Sequence, residues 1–153
     1  MKLIGKRQTN YLFVYGTLRR HHGHPMSRWL SRRTDWVGTG YFQGILFNLG
    51  KYPGIVKSDN ETDRVIGDIF RTDNPKMTLK TLDRYEQCSI VDPRPHEYRR
   101  SIEPVMLGNG KTLNAWVYLY NRPIKDHICI TSGDFLASSP KQSIRRTSIK
   151  RKR

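Results

Sequence analysis

Cysteine is nearly absent. Cys88 and Cys129 lie far apart in 153 residues, with no paired spacing, so neither a disulfide framework nor a zinc ribbon is expected. Long hydrophobic runs are missing too. No apolar stretch approaches the ~18–20 residues of a membrane span. The basic N-terminus leads into YLFVYG, which is too short for the core of an export signal. These gaps predict a cytoplasmic setting with reduced thiols. Apolar residues are sparse, at 36%, although 10% aromatics exceeds what a wholly disordered chain carries. Acids are scarce as well, 13 against 28 Lys plus Arg, for a net charge of +15. That scarcity is uneven. Residues 1–10 and 141–153 contain no acid and together hold ten of the basic residues. The length suits one domain. The expected organisation is a basic N-terminal segment over 1–10, a mildly basic globular domain over 11–137 and a basic flexible tail over 138–153.

The body reads as short strands with two helices. Residues 11–15, YLFVY, form an aromatic and β-branched run that stops at Gly16, the pattern of a buried strand opening into a turn. Pro25 marks the first position of a helix to about Ser31, with Met26, Trp29 and Leu30 on one face. From 36 to 70, β segments are punctuated by Gly38, Gly40, Gly44, Gly50, Gly54 and Gly67. So many bends predict a sheet curled towards a barrel. Asn74-Pro75 starts a second helix, MTLKTLDRYE, whose buried face carries Leu79, Leu82 and Tyr85. Residues 98–107 and 112–120 read as strands joined by a Gly108-Asn109-Gly110 turn, and 131–137 as a last helical turn.

Two groups stand out chemically. A strand that ends at glycine frees backbone N–H groups, and these can cradle a carboxylate or an oxyanion. Tyr15-Gly16-Thr17-Leu18-Arg19 fits that description, with Arg19 adding charge. It also fits a plain strand-to-loop turn. At about 100° per residue, Glu86 projects between Leu79 and Leu82. There it lies on an apolar face and at a helix C-terminus, and both disfavour its anion. A carboxyl so placed suits a general base working near neutral pH. The alternative is an earlier helix end, with Glu86 turned to solvent or paired with Arg84 or Arg94. His21, His22 and His24 cluster without a nearby Cys or carboxylate, and no metal site is expected there. Cys88 has no histidine spaced to make it a nucleophile. Tyr98, Tyr118 and Tyr120 lie in strand-like runs, Tyr118 and Tyr120 on one face, as core or pocket wall with hydroxyls available to a ligand. The tail lacks the aromatics that read bases, so 141–153 is expected to make at most nonspecific contact with nucleic acid or an anionic surface.

The YGTLR loop resembles the signature loop of the gamma-glutamylcyclotransferase-like superfamily. The resemblance continues in order through Tyr52-Pro53-Gly54-Ile55-Val56, the strand Val65–Phe70, the helix end Leu82-Asp83-Arg84-Tyr85-Glu86, the strand start Tyr98-Arg99-Arg100 and Ala115–Tyr120. It spans about residues 11–136 and is nearest the small gamma-glutamylamine cyclotransferase-like, or avirulence-induced-gene-like, branch. It implies an α+β fold, a small curled mixed β-barrel with packed helices; a monomer is expected. It also implies release of 5-oxoproline from a small gamma-glutamyl substrate with no metal or organic cofactor. Glu86 would be the catalytic acid/base. Tyr15, Gly16, Thr17, Leu18 and Arg19 would bind substrate, with Tyr98 and Tyr118 lining the pocket. The sequence departs from the family pattern at Gln87, where many relatives carry glycine, and at Pro93 and Pro95. These changes bear on the pocket rim and leave the substrate open. A non-catalytic ligand-binding module of the same fold, and a binder of nucleic acid or anionic surfaces through the tail, are the other functions considered.

Overall fold

The computed structural model describes residues 8–20, 22–50, 52–86, 88–89, 91–124 and 127–137. In chain order its elements are β1 (Tyr11–Val14), α1 (Pro25–Arg33), β2 (Asp35–Asn48), β3 (Pro53–Lys57), β4 (Arg64–Arg71), α2 (Pro75–Tyr85), β5 (Tyr98–Leu107), β6 (Thr112–Tyr120) and β7 (Ile128–Cys129). Strands β2, β4, β1, β6 and β5 pair in that order, and β5 pairs back onto β2. The result is a closed five-stranded barrel. It is mixed because β1 runs antiparallel to β4 and parallel to β6. β3 and β7 pair with the far end of β2.

β1 explains its own composition. Phe13 and Tyr15 point into the barrel core, while Leu12 and Val14 pack against the helix layer outside. A strand buried on both faces reads as an unbroken apolar run rather than an alternation. β6 repeats the division, with Ala115, Val117 and Leu119 inside and Trp116, Tyr118 and Tyr120 outside. The outer layer is completed by Leu30 of α1 and by Leu79 and Leu82 of α2.

Both helices begin at the expected prolines, Pro25 and Pro75, and the His24 cap of the first is an addition from the structure. Asn74 accepts a hydrogen bond from the N–H of Met77 at the head of α2, and His24 Nδ1 accepts from Met26 at the head of α1. Both supply an acceptor to helical N–H groups that have no partner within the helix. The glycine-rich stretch after Trp36 is one 14-residue strand, β2, and the expected bulge falls between Trp36 and Gly38. Gly40 lies where a Cβ would meet the Ile69 side chain at 2.5 Å, so it serves close packing inside a continuous strand rather than a break. Residues 131–137 form turns and no helix, because the Asp134 carboxylate takes the N–H groups of Leu136 and Ala137 in place of helical carbonyls. The expected tail, 138–153, and the N-terminal residues 1–7 lie outside the described residues.

Candidate active site

One cavity of about 420 Å³ opens where β1 ends. Its floor is the loop Tyr15–Leu18, and its walls come from the start of β3, the end of α2, the start of β5 and Tyr118 of β6. Gly16 is required by that construction. A Cβ there would stand 2.6 Å from Pro53 Cγ and 2.9 Å from Pro53 Cδ, closer than packed atoms tolerate. The loop and the Tyr52-Pro53-Gly54 segment therefore meet only through a glycine. Tyr98 Oη donates to the Pro53 carbonyl at 2.6 Å, which holds that segment from the other side. The backbone N–H groups of Gly16, Thr17 and Leu18 take no acceptor among the described residues. They form the kind of unsatisfied donor run that accepts an anion.

Glu86 caps the C-terminus of α2, its N–H bonded to Leu82 O at 2.8 Å. The helix thus reaches far enough to bring the side chain to the cavity, and Glu86 pairs with neither Arg84 nor Arg94. Among the described residues the carboxyl makes no hydrogen bond or ion pair. Burial, then the nearby charges of Glu97 and Asp83, push its pKa up to about 8. Uncompensated burial disfavours the charged form, and like charges add to the effect.

The hydroxyls expected to face a ligand are committed elsewhere. Tyr15 Oη donates to Tyr118 O at 2.6 Å, Tyr118 Oη donates to Asp83 Oδ1 at 2.7 Å, and Tyr98 holds Pro53. All three are buried, and burial raises each phenol pKa. They line the cavity as fixed walls. Tyr120 Oη lies 3.3 Å from His127 Nε2. Thr17 and Leu18 line the cavity, and Thr17 Oγ1 shares a 2.8 Å hydrogen bond with Tyr85 Oη.

Arg19 is placed differently. Its guanidinium donates to Asp68 at 3.2 Å and to Asp134 at 2.9 Å, and it does not line the cavity. Asp68 also accepts from the Arg20 N–H and from Trp36 Nε1. Arg19 therefore anchors the loop to β4 and to the turn at 134, and any effect on a ligand is indirect.

Several residues of the site escaped the sequence reading. Asp83 takes a bidentate pair from Arg100, at 2.8 and 3.0 Å. This is the geometry that makes Arg–carboxylate pairs strong. Asp83 projects beside the apolar stripe of α2, and Arg100 falls two residues from Tyr98 on one strand face, so periodicity carried both signals. Glu97, Tyr52, His22 and His24 also line the cavity. Glu97 follows an irregular segment, so no period could place it. His24 spends Nδ1 on capping α1. Among the described residues no three metal-ligating groups converge; His21 lies outside them. No described helix is long and apolar enough to cross a membrane.

A closed small mixed barrel, with a glutamate at the end of a helix sharing a cavity with an open backbone loop, defines the class of protein. The chain belongs to the gamma-glutamyl cyclotransferase, AIG2-like family, whose model matches residues 12–137. It is 33% identical over 125 residues to the gamma-glutamylcyclotransferase family protein YtfP of Escherichia coli K12, an alignment covering 82% of this chain and 95% of that one. The solution structure of the E. coli ytfP protein superposes with a TM-score of 0.54 at 30% identity, covering 83% of this chain and 96% of that one. A mouse AIG2-like protein superposes with a TM-score of 0.58 at 23% identity, covering 74% and 80%. That second likeness concerns the fold.

Proposed function

We propose that the protein is a cyclotransferase that releases 5-oxoproline from a small gamma-glutamyl compound. The observation behind this reading is the meeting, in one cavity, of an unpartnered carboxyl, Glu86, and the unsatisfied N–H groups of Gly16, Thr17 and Leu18. The N–H groups take the substrate's α-carboxylate or steady its γ-carbonyl oxygen. Glu86 takes a proton from the α-ammonium. The freed amine attacks the γ-carbonyl carbon of the same molecule and forms the ring C–N bond. The ring nitrogen gives up its second proton as the old amide C–N bond breaks, and this proton and the one held by Glu86 pass to the departing amine, which leaves as an ammonium. No water is consumed.

Because the nucleophile is tethered, the cavity's work is to hold a reactive conformer and to supply one acid/base group. A pKa near 8 suits a group that must both accept and return a proton near neutrality. The test is 5-oxoproline release from a panel of gamma-glutamyl amines and dipeptides, with wild type and Glu86→Gln side by side. The variant should lose about 10²-fold or more in kcat. If wild type releases no more product than buffer across the panel, the reading fails. Thermal stabilisation by those compounds without product would then mark a binding module.

A further inference from the structure

The cavity holds a second carboxylate, Glu97, which the cyclisation leaves without a task. Its place is built. Tyr52 Oη donates to Glu97 Oε2 at 2.9 Å, and the Glu97 carbonyl accepts from the Asn121 N–H at 2.7 Å. Both side chain and backbone are therefore tied at the rim, between the starts of β3 and β5. No Lys or Arg stands among the described residues that line the cavity, and neither Glu86 nor Glu97 has an ion-pair partner there. Arg122 lies close enough to influence Tyr52 and Tyr120, but it does not line the cavity and donates to the Pro95 carbonyl. Burial and the neighbouring His24 hold His22 below its ordinary pKa.

Resting on the proposed cyclotransferase reading, the charges of a bound gamma-glutamyl group can be matched one by one. Its α-carboxylate meets the N–H groups of residues 16–18. Its α-ammonium meets Glu86. Glu97 remains, with aromatic rings beside it: Tyr52 and Tyr98 lie 6.3 Å apart by centroid, and Tyr98 and Tyr120 meet edge to face at 5.7 Å. A fixed carboxylate beside aromatic rings is a site for an organic cation. We infer that Glu97 and Tyr52 form the subsite for the departing amine, and that the preferred substrates carry a positive charge on that amine's far end, as gamma-glutamyl derivatives of diamines do. Leaving groups that end in a carboxylate, as those of gamma-glutamyl dipeptides do, meet Glu97 as a like charge and are disfavoured.

Three substrates of matched length separate charge from size: the gamma-glutamyl amides of 1,4-diaminobutane, of n-butylamine and of 4-aminobutanoate. In kcat/KM for 5-oxoproline release the diamine derivative should lead the neutral one by about tenfold or more, with the carboxylate derivative last. Glu97→Gln should collapse the ratio of cationic to neutral substrate, and Glu97→Lys should move preference towards the carboxylate derivative. A structural role alone would lower all three rates together and leave the ratios in place. Equal rates for the three substrates, or ratios unmoved in Glu97→Gln, overturn the inference. Calorimetric affinities of the same compounds for Glu86→Gln test the charge preference without turnover. A cationic preference there with no product from wild type would sink the cyclotransferase reading and keep the subsite. Product formation with no charge preference would do the reverse.

Discussion

At residue 86 the fold works against ionisation, and two measurements should show it. As a general base Glu86 must be deprotonated, so kcat/KM should rise with pH and inflect near 8. Glu97→Gln removes the larger of the two repelling charges, so its inflection should move to lower pH. The same shift has a stability sign. The folded pKa of about 8 lies above the ordinary value of 4.5. The folded state therefore holds a proton between those values that the unfolded chain has released. Stability from this group is present in full below about 4.5 and is lost as pH rises through 8. Glu86→Gln stays neutral throughout. Its melting temperature should exceed that of wild type at pH 8.5, by an amount worth about 1–3 kcal/mol, and match it near pH 5. Calorimetry at the two pH values checks this. Gly16 gives a test of geometry. Gly16→Ala puts a methyl 2.6 Å from Pro53 Cγ, so the loop must move. A displacement of about 1 Å at such a site costs on the order of 10²-fold in kcat/KM.

Among the elements, the end of α2 is held by a clamp that crosses to β5 and β6. Asp83 of α2 accepts from Arg100 of β5 and Tyr118 of β6, and Arg100 lies over the Trp116 ring at 4.5 Å. Register pairs Arg100 with Tyr118 across the two strands, so strand pairing brings both donors to one carboxylate. Three residues on, the same helix end presents Glu86. Arg100→Met should therefore act at a distance. It leaves the Asp83 charge uncompensated, which raises the Glu86 pKa further and moves the kcat/KM inflection to higher pH. It also destabilises the fold by about 1–3 kcal/mol, since the pair is only partly buried. Much at this scale was legible beforehand. The bounds of β5 and β6 followed from composition and a glycine turn, and the start of α2 from Asn74-Pro75. The glycines of β2 were legible as sites of bending, but the close approach that demands Gly40, the Ile69 side chain on the neighbouring strand β4, was not. The short β7 lacks a pattern of its own, since only its pairing with Phe47 and Asn48 makes it a strand.

For the whole molecule, the charge and the site belong to different parts of the chain. The family match spans 12–137, while ten of the 28 basic residues lie in 1–10 and 141–153. The cavity itself is lined by two carboxylates. The helical period placed Glu86 on the apolar face of α2, and its meeting with the Tyr15–Leu18 loop in one cavity was implied by the family resemblance rather than by local pattern. Glu97 and the anchoring of Arg19 were not legible, because each depends on contacts between distant segments, Tyr52 with Glu97 and Arg19 with Asp68 and Asp134. The last turn closes on itself, with Asp134 holding the N–H groups of Leu136 and Ala137, so a chain ending at 137 keeps every bond described for the barrel. We expect that truncation to retain 5-oxoproline release and a melting temperature within about 3 °C of the full chain. Binding to nucleic acid should behave otherwise. Seven basic residues in 141–153 could release up to about seven counterions, each adding roughly 0.7–0.9 to the slope of log affinity against log salt. Fluorescence anisotropy with a single-stranded oligonucleotide, run from low to physiological salt, should show a steep slope for the full chain and a shallow one for the truncated chain. If both slopes are equally steep, the exposed arginines of the body are responsible, beginning with the groove lined by Arg20, Arg28 and Arg32.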